Sequence, residues 1–210
     1  MRLYSYVVRY DSGFAPNPFY GLCTLATCKP KIRKFAAVGD WIVGCGSNDK
    51  SIRRGGHLVF ALKVGEVLSF DAYNADPRFQ CKVPYRRGSR KQSCGDNIYY
   101  RSTPQASFRQ RDSFHSMPDG TPNVEHIKHD TKVNRVLVGS EFVYFGGYGP
   151  RFPPRLDNPD GSGICKKGRG DARFDDPALI AVALEWIRSL GVSGFQAAPF
   201  EWRRSRERQR

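Results

Sequence analysis

Residues 3–10 alternate two by two, with Leu3, Ser5, Val7 and Arg9 on one face and Tyr4, Tyr6, Val8 and Tyr10 on the other. Period-two alternation predicts a strand, its Tyr/Val face turned inward. Residues 11–20 are broken by Pro16 and Pro18 and read as a loop. Residues 31–37 predict a short helix with Pro30 in its first turn, where a missing N–H leaves nothing unsatisfied. Gly39-Asp40 then turns the chain into an apolar strand over 41–45, and 48–56 is a polar, glycine-containing loop. Residues 57–73, HLVFALKVGEVLSFDAY, predict a long β segment interrupted by a bulge or bend at Gly65. Residues 74–129 are polar and show no sustained period beyond a short apolar piece near Ile98. Strand character returns over 134–144 and ends at the turn Gly146-Gly147, and 150–170 is loop.

The clearest helix lies near the C-terminus. Asp176 is placed to cap it, Pro177 suits its first position, and Gly191 stops it. Leu179, Val182, Ala183, Trp186, Ile187 and Leu190 recur at helical spacing, and Ile180 and Leu184 widen the apolar face, so the helix is expected to be buried. Several strands around bends, with few helices, predict an α+β fold built on a curved mixed sheet or a small β-barrel. Residues 1–195 read as a single domain, and 203–210 as a basic, disordered tail.

Composition sharpens this picture in two ways. With 40% hydrophobic and 13% aromatic residues in 210 positions, the chain has enough apolar material for a real core. No apolar run reaches the roughly 20 residues that span a bilayer. The N-terminus lacks the apolar centre of a signal peptide, so a cytoplasmic protein with six reduced cysteines is expected. The second change comes from charge: 34 Lys and Arg stand against 20 acids, a net +14. The segment 203–210 carries +4 of this, so most of the excess belongs to the folded body. Polyanions are the usual partners of such a surface.

Candidate chemistry follows from that charge. The segment KVPYRRGSRK, residues 82–91, holds five basic residues and no acid. Basic side chains on a glycine-containing loop suit phosphate contacts. Arg101, Arg109 and Arg111 follow, interleaved with Tyr99, Tyr100 and Phe108, and aromatic rings among basic residues suit unpaired bases. Cys23, Cys28 and Cys45 are candidate nucleophiles and His57 and His115 candidate bases, with nothing local to pair them. A Cys23/Cys28 pair with His126 and His129 is a poor match to zinc spacing, so no metal and no cofactor is expected. Gly146-Gly147-Tyr148-Gly149 would let a phosphate or base approach backbone.

The N-terminal strand, NPFYGLCTLATCKPKIR, AVGDWIVGCGS and FVYFGGYGP together resemble the second nucleotide modification associated domain family. The matching positions are Asn17, Pro18, Phe19, Gly21, Cys23, Thr24, Cys28, Lys29, Pro30, Ile32, Arg33, Gly39, Asp40, Trp41, Gly44, Gly146, Gly147 and Pro150. That family is named for its association with DNA-base modification systems of bacteria and phages, and no established catalytic residue comes with it. The layout is also similar, more distantly, to PUA-like domains of the EVE and YTH types, which hold modified bases in aromatic pockets.

The resemblance and the charge together point to a nucleic-acid-associated protein that recognises a modified or extruded base. The base or ligand pocket is expected from Phe19, Tyr20, Cys23, Lys29, Arg33, Asp40, Trp41, Gly147 and Tyr148. The nucleic-acid backbone would lie on Arg86, Arg87, Arg90, Lys91, Arg101 and Arg109. Two alternatives stay open. One is an enzyme acting on a nucleotide or DNA base, through Cys23 or Cys28 as nucleophile or Asp40 with Lys29 as base and acid. The other is an RNA-binding module of PUA-like type. The expected partner is nucleic acid, DNA ahead of RNA, or a nucleotide, with no membrane.

Overall fold

A computed structural model describes residues 1–157 and 163–202. The first half runs β1 (Leu3–Val8), β2 (Cys23–Leu25), α1 (Pro30–Phe35), β3 (Trp41–Gly46), β4 (Leu58–Lys63), β5 (Glu66–Leu68) and α2 (Phe70–Ala75). A 3₁₀ turn (Pro77–Lys82) leads into α3 (Arg90–Ser93), β6 (Tyr99–Tyr100), β7 (Arg109–Gln110) and α4 (Val124–Thr131). The chain continues through β8 (Val136–Gly139), β9 (Phe142–Tyr144), a second 3₁₀ turn (Gly146–Tyr148), β10 (Asp171–Phe174), α5 (Pro177–Ser189) and β11 (Gly194–Phe195). The fold is α+β, and of the two sheet forms expected, the mixed sheet is the one adopted. Its strand order is β10-β1-β3-β4-β9-β11, an open sheet with no closed barrel among the described residues.

The chain divides into two compact units, and the second is made of two insertions into the first: residues 13–35 and 66–138. Unit one carries the six-stranded sheet. β1 pairs parallel to β3 and antiparallel to β10, and β4 lies antiparallel to both β3 and β9. The C-terminal helix follows its local signals: Asp176 accepts from Ala178 N–H at 3.0 Å, Pro177 is its first residue, and Gly191 turns away at φ 66°. Ile180, Ala183, Leu184 and Ile187 pack with Leu3, Trp41, Val43 and Ala61 of the sheet into one core. Gly44 is required where β3 passes β4, because a Cβ there would lie 2.2 Å from the Phe60 ring. The pairing register of β3 with β4 shifts at this point, between Gly44 and Cys45.

Unit two holds the three-stranded sheet β2-β8-β5 and the ribbon β6-β7. Its core is aromatic: Phe14, Phe70, Tyr73, Phe79 and Tyr99 pack with Ile98, Val136 and Val138. Two expectations change here. The long β segment ends early, since the Ser69 side chain accepts from Ala72 N–H at 3.0 Å and starts α2 over residues that look strand-like. The single strand expected over 134–144 is two strands in different sheets, β8 and β9. At the joint, a Cβ on Gly139 would lie 2.1 Å from the Lys63 carbonyl oxygen. The expected tail, 203–210, lies outside the described residues.

Candidate functional site

Within unit two, the loop after β2 brings Cys28 to His115. The thiol Sγ lies 3.4 Å from His115 Nε2, across 87 residues of sequence. The other ring nitrogen, Nδ1, lies 2.9 Å from Asp130 Oδ2, contributed by α4. Asp130 has no exposed side-chain surface, whereas the His115 side chain keeps 13% exposure and Cys28 is half-buried. The arrangement is a thiol, an imidazole and an orienting carboxylate in line, the geometry of nucleophile, base and orienter.

The carboxylate is held from several directions. Tyr99 donates its hydroxyl to Oδ2 at 2.8 Å, and the Cys28 backbone N–H donates to Oδ1 at 2.9 Å. His129 Nδ1 lies 3.3 Å from Oδ1. Arg33 is also fully buried, with Nη2 3.8 Å from Oδ1. Burial would raise the Asp130 pKa, but the bonds from His115 and Tyr99 and the Arg33 charge outweigh it and keep the carboxylate ionised below its ordinary range. For His115, burial opposes the charge. The hydrogen bonds to Asp130 and Cys28 overcome it and push the pKa up to about 9. His115 is therefore protonated at neutral pH.

The loop that presents the thiol is strained. Cys28 has φ 57° and Lys29 φ 40°, two successive non-glycine residues in the left-handed region. Such positions cost on the order of 1 kcal/mol each and persist when their surroundings over-determine them. Here the surroundings are explicit: the Cys28 N–H is bonded to Asp130 and its carbonyl accepts from Arg33 Nε at 2.8 Å. Arg33 completes the frame by donating to the carbonyls of Val133, Arg135 and Asp130 at 2.7–2.9 Å. Its guanidinium thus braces the loop against α4 and the segment after it.

The His115 ring is packed between two others. Phe14 meets it edge-on at 4.8 Å between centroids, and His126 at 4.2 Å. The His126 pKa is lowered, by burial first and by the neighbouring His115 second. Phe114 stands next in sequence, 44% exposed. Its ring lies 5.9 Å from Phe14, and the Arg86 guanidinium lies over it at 4.5 Å.

The residues expected to line one pocket fall in separate units. Phe19, Tyr20, Cys23, Lys29 and Arg33 belong to unit two, and Asp40, Trp41, Gly147 and Tyr148 to unit one. Phe19 and Cys23 are buried, and burial pushes the Cys23 thiol up to about 12. Tyr20 is 39% exposed, with Lys91 Nζ 5.5 Å from its ring centre. Lys29 is half-buried at the strained loop. Asp40 serves local structure, accepting from Arg2 N–H at 2.7 Å and Ala37 N–H at 3.0 Å. Gly147 lies in the second 3₁₀ turn beside Tyr148, whose ring is exposed. Trp41 is nearly covered by the unit-one core. It nevertheless lines a cleft of about 320 Å³ with Phe142, Val143, Ile187, Arg188 and Val192.

Of the basic residues, Arg86, Arg87, Lys91 and Arg109 are exposed and Arg90 is half-buried. Arg101 pairs with Asp71 at 2.9 Å and is 18% exposed. Lys82, which opens the basic segment in sequence, is fully buried and donates to Asn17 Oδ1 at 2.6 Å, to the Asn17 carbonyl at 3.1 Å and to the Leu22 carbonyl at 2.9 Å. Tyr99, expected among the aromatics that meet a base, is instead buried on Asp130, and neither Asp130 nor the pairing of Cys28 with His115 is marked in the sequence. The nearest signal was an acid flanked by histidine in HIKHD, on a segment without visible period. Among the described residues, no group of three or more His, Cys, Asp or Glu is placed to hold a metal ion.

These features define an α+β protein with a cysteine–histidine–aspartate cluster in its inserted unit. The chain belongs to the nucleotide modification associated domain 2 family, whose model matches residues 1–206. No curated protein and no solved structure matches it. The family ties the chain to nucleotide modification. No helix among the described residues is long and apolar enough to cross a membrane.

Proposed function

We propose that this protein is a nucleotide-modifying enzyme that uses Cys28 as its nucleophile. The observation that carries the reading is the alignment Cys28 Sγ–His115 Nε2–Asp130 Oδ2, at 3.4 and 2.9 Å. Cys28 reacts as the thiolate paired with the protonated His115 ring, and it attacks an electrophilic carbon of the nucleotide. A sulfur–carbon bond forms as the bond to the leaving group breaks, and the leaving group takes the proton from Nε2. Water or a second nucleophile then attacks the same carbon, gives its proton to His115 and releases the thiolate. Asp130 holds the imidazole orientation and stabilises its charged form, the role an orienting carboxylate plays in such relays. The basic side chains of residues 86–91 supply phosphate contacts in the same unit.

The test is incubation of the full chain with nucleotides and with DNA carrying modified bases, followed by mass spectrometry of products and of the intact protein. Product that vanishes in Cys28→Ala, or a mass adduct on Cys28, is the expected result. The reading fails if no substrate turns over and Cys28 alkylates no faster than an ordinary exposed thiol.

A second reading, recognition of a modified base without chemistry, is favoured by the cleft that Trp41 lines in unit one. Its size lies at the lower end for a small-ligand site. A folded Trp41→Ala protein that still discriminates modified from plain DNA would exclude that cleft.

A further inference from the structure

We propose that Phe114 and Arg86 form a shelf for a nucleobase beside Cys28 and His115, so that the site's ligand is an unstacked base carrying a phosphate. This deepens the reading of the thiol cluster as a nucleotide-modifying centre and rests on it.

A single exposed phenylalanine would mean little, since scattered apolar side chains are ordinary on protein surfaces. Phe114 is not isolated. Its ring lies 5.9 Å from the buried Phe14, which meets the His115 ring at 4.8 Å, so ring contacts link the exposed Phe114 through the core to the imidazole. Arg86 lies over Phe114 at 4.5 Å and is held there by Asp112 at 3.8 Å and by the Ser93 carbonyl at 3.3 Å. Its side chain keeps 37% exposure. A guanidinium set against an aromatic ring offers a flat, cationic, stacking surface, which suits the π-face of a base better than it suits an aliphatic group.

Charge sets the remaining chemistry. Arg87 and Lys91 are exposed on the same short segment as Arg86. Cations beside a stacking surface bind the phosphate that a nucleotide brings with its base. A base within a duplex has both faces occupied by its neighbours, so only a free nucleotide, a single strand or an extruded base presents a face to the shelf. The two sources share this chemistry, and binding separates them.

The experiment uses the full chain as Cys28→Ser, which keeps the shelf and removes the thiol. Three probes are titrated: 2-aminopurine deoxyribonucleoside monophosphate, a single-stranded oligonucleotide containing one 2-aminopurine, and the same oligonucleotide in duplex. Fluorescence quenching reports stacking of the probe base. We expect quenching with the monophosphate, the single strand or both, and none with the duplex. Quenching by the monophosphate alone makes the ligand a nucleotide, and by the strand alone a nucleic acid. Phe114→Ala should abolish quenching and weaken binding about ten- to a hundredfold, and Phe114→Trp should restore both. Arg86→Ala should weaken binding and lower the slope of log affinity against log salt by about one. Equal quenching in Phe114→Ala, or none with any probe, overturns the shelf. Loss of the shelf with Cys28 turnover intact sinks this inference alone, whereas a working shelf beside an inert Cys28 sinks the catalytic reading.

Discussion

Nδ1 of His115 lies 2.9 Å from Oδ2 of Asp130, a carboxylate with no exposed side-chain surface, and this pairing aims the opposite ring nitrogen at Cys28. Asp130 in turn accepts the Cys28 N–H, so a single buried side chain positions both the nucleophile loop and the imidazole.

Thiol reactivity should therefore differ sharply among the six cysteines. Cys23, Cys45, Cys94 and Cys165 are buried, and Cys28 and Cys81 are not. Peptide mapping after brief iodoacetamide treatment should find carboxamidomethyl label on Cys28 first, then Cys81, and none on the others while the protein is folded. His115→Ala should slow labelling of Cys28 by at least tenfold and leave Cys81 unchanged. Equal labelling rates at Cys28 in both proteins would remove His115 from its chemistry.

Asp130→Asn tests the orienting role. The amide preserves shape but removes the charge that stabilises the imidazolium and favours the wrong tautomer of the neutral ring, which in a comparable relay costs about four orders of magnitude in turnover. A fall of a hundredfold or more in kcat is expected, with KM for the nucleotide little changed. Unaltered kcat in a folded Asp130→Asn protein would count against the relay.

The pH dependence of stability has a definite sign. The His115 pKa rises from 6.5 to about 9 on folding, because its bonds to Asp130 and Cys28 outweigh the opposing effect of burial. The stabilisation is fully present below pH 6.5 and is lost as the pH climbs through 9. Its size is on the order of 3 kcal/mol. Urea midpoints should decline across that window in the parent protein, and His115→Gln should flatten the decline.

Arg33 braces the strained loop, and its removal should be costly. Arg33→Met leaves four backbone carbonyls without their donor and Asp130 without a neighbouring cation. A loss of about 3–5 kcal/mol in urea unfolding is expected. Arg33→Lys should recover only part of it, since one ammonium cannot reproduce the guanidinium fork. A loss below 1 kcal/mol for Arg33→Met would mean the loop is held by other contacts.

In unit one, Gly44→Ala places a methyl against the Phe60 ring at 2.2 Å and should destabilise by about 1–3 kcal/mol through overpacking. Because the residue lies in β3, away from the thiol cluster in sequence, alkylation of Cys28 in the folded variant should keep its parent rate. A slowed rate would show that the two units are energetically coupled.

The elements that were legible in sequence are those whose causes are local. α5 carries its cap, its proline, its period and its stopping glycine within 16 residues, 176–191, and it forms where those signals place it. β3 follows its apolar pattern in the same way, whereas β1 forms where expected but buries both faces, with Leu3 and Ser5 as covered as Tyr4 and Tyr6, because the sheet is packed on both sides there. The Phe70–Ala75 helix was obscured because Phe70 and Tyr73 suit a strand as well, and only the Ser69 cap distinguishes the two. Lys82 reads in sequence as part of a basic loop and Arg33 as a pocket residue, since a sequence shows that a side chain is basic but not which carbonyls it will meet.

The site divides along the same line. The sequence by itself determined the α+β class, the C-terminal helix with its apolar face and the excess of positive charge, which follow from local pattern and composition, and its resemblance pointed to the family. It also placed Cys28, Lys29 and Arg33 among the positions that resemble the family, while the pocket expected from Lys29, Arg33 and their companions spreads over residues of both units. Tertiary structure alone decided that Cys28, His115 and Asp130 meet. They are separated by 87 and 15 residues, and their hydrogen bonds depend on how the two insertions of unit two pack together. Distances and burial of this kind arise from long-range packing, which no short window of sequence encodes.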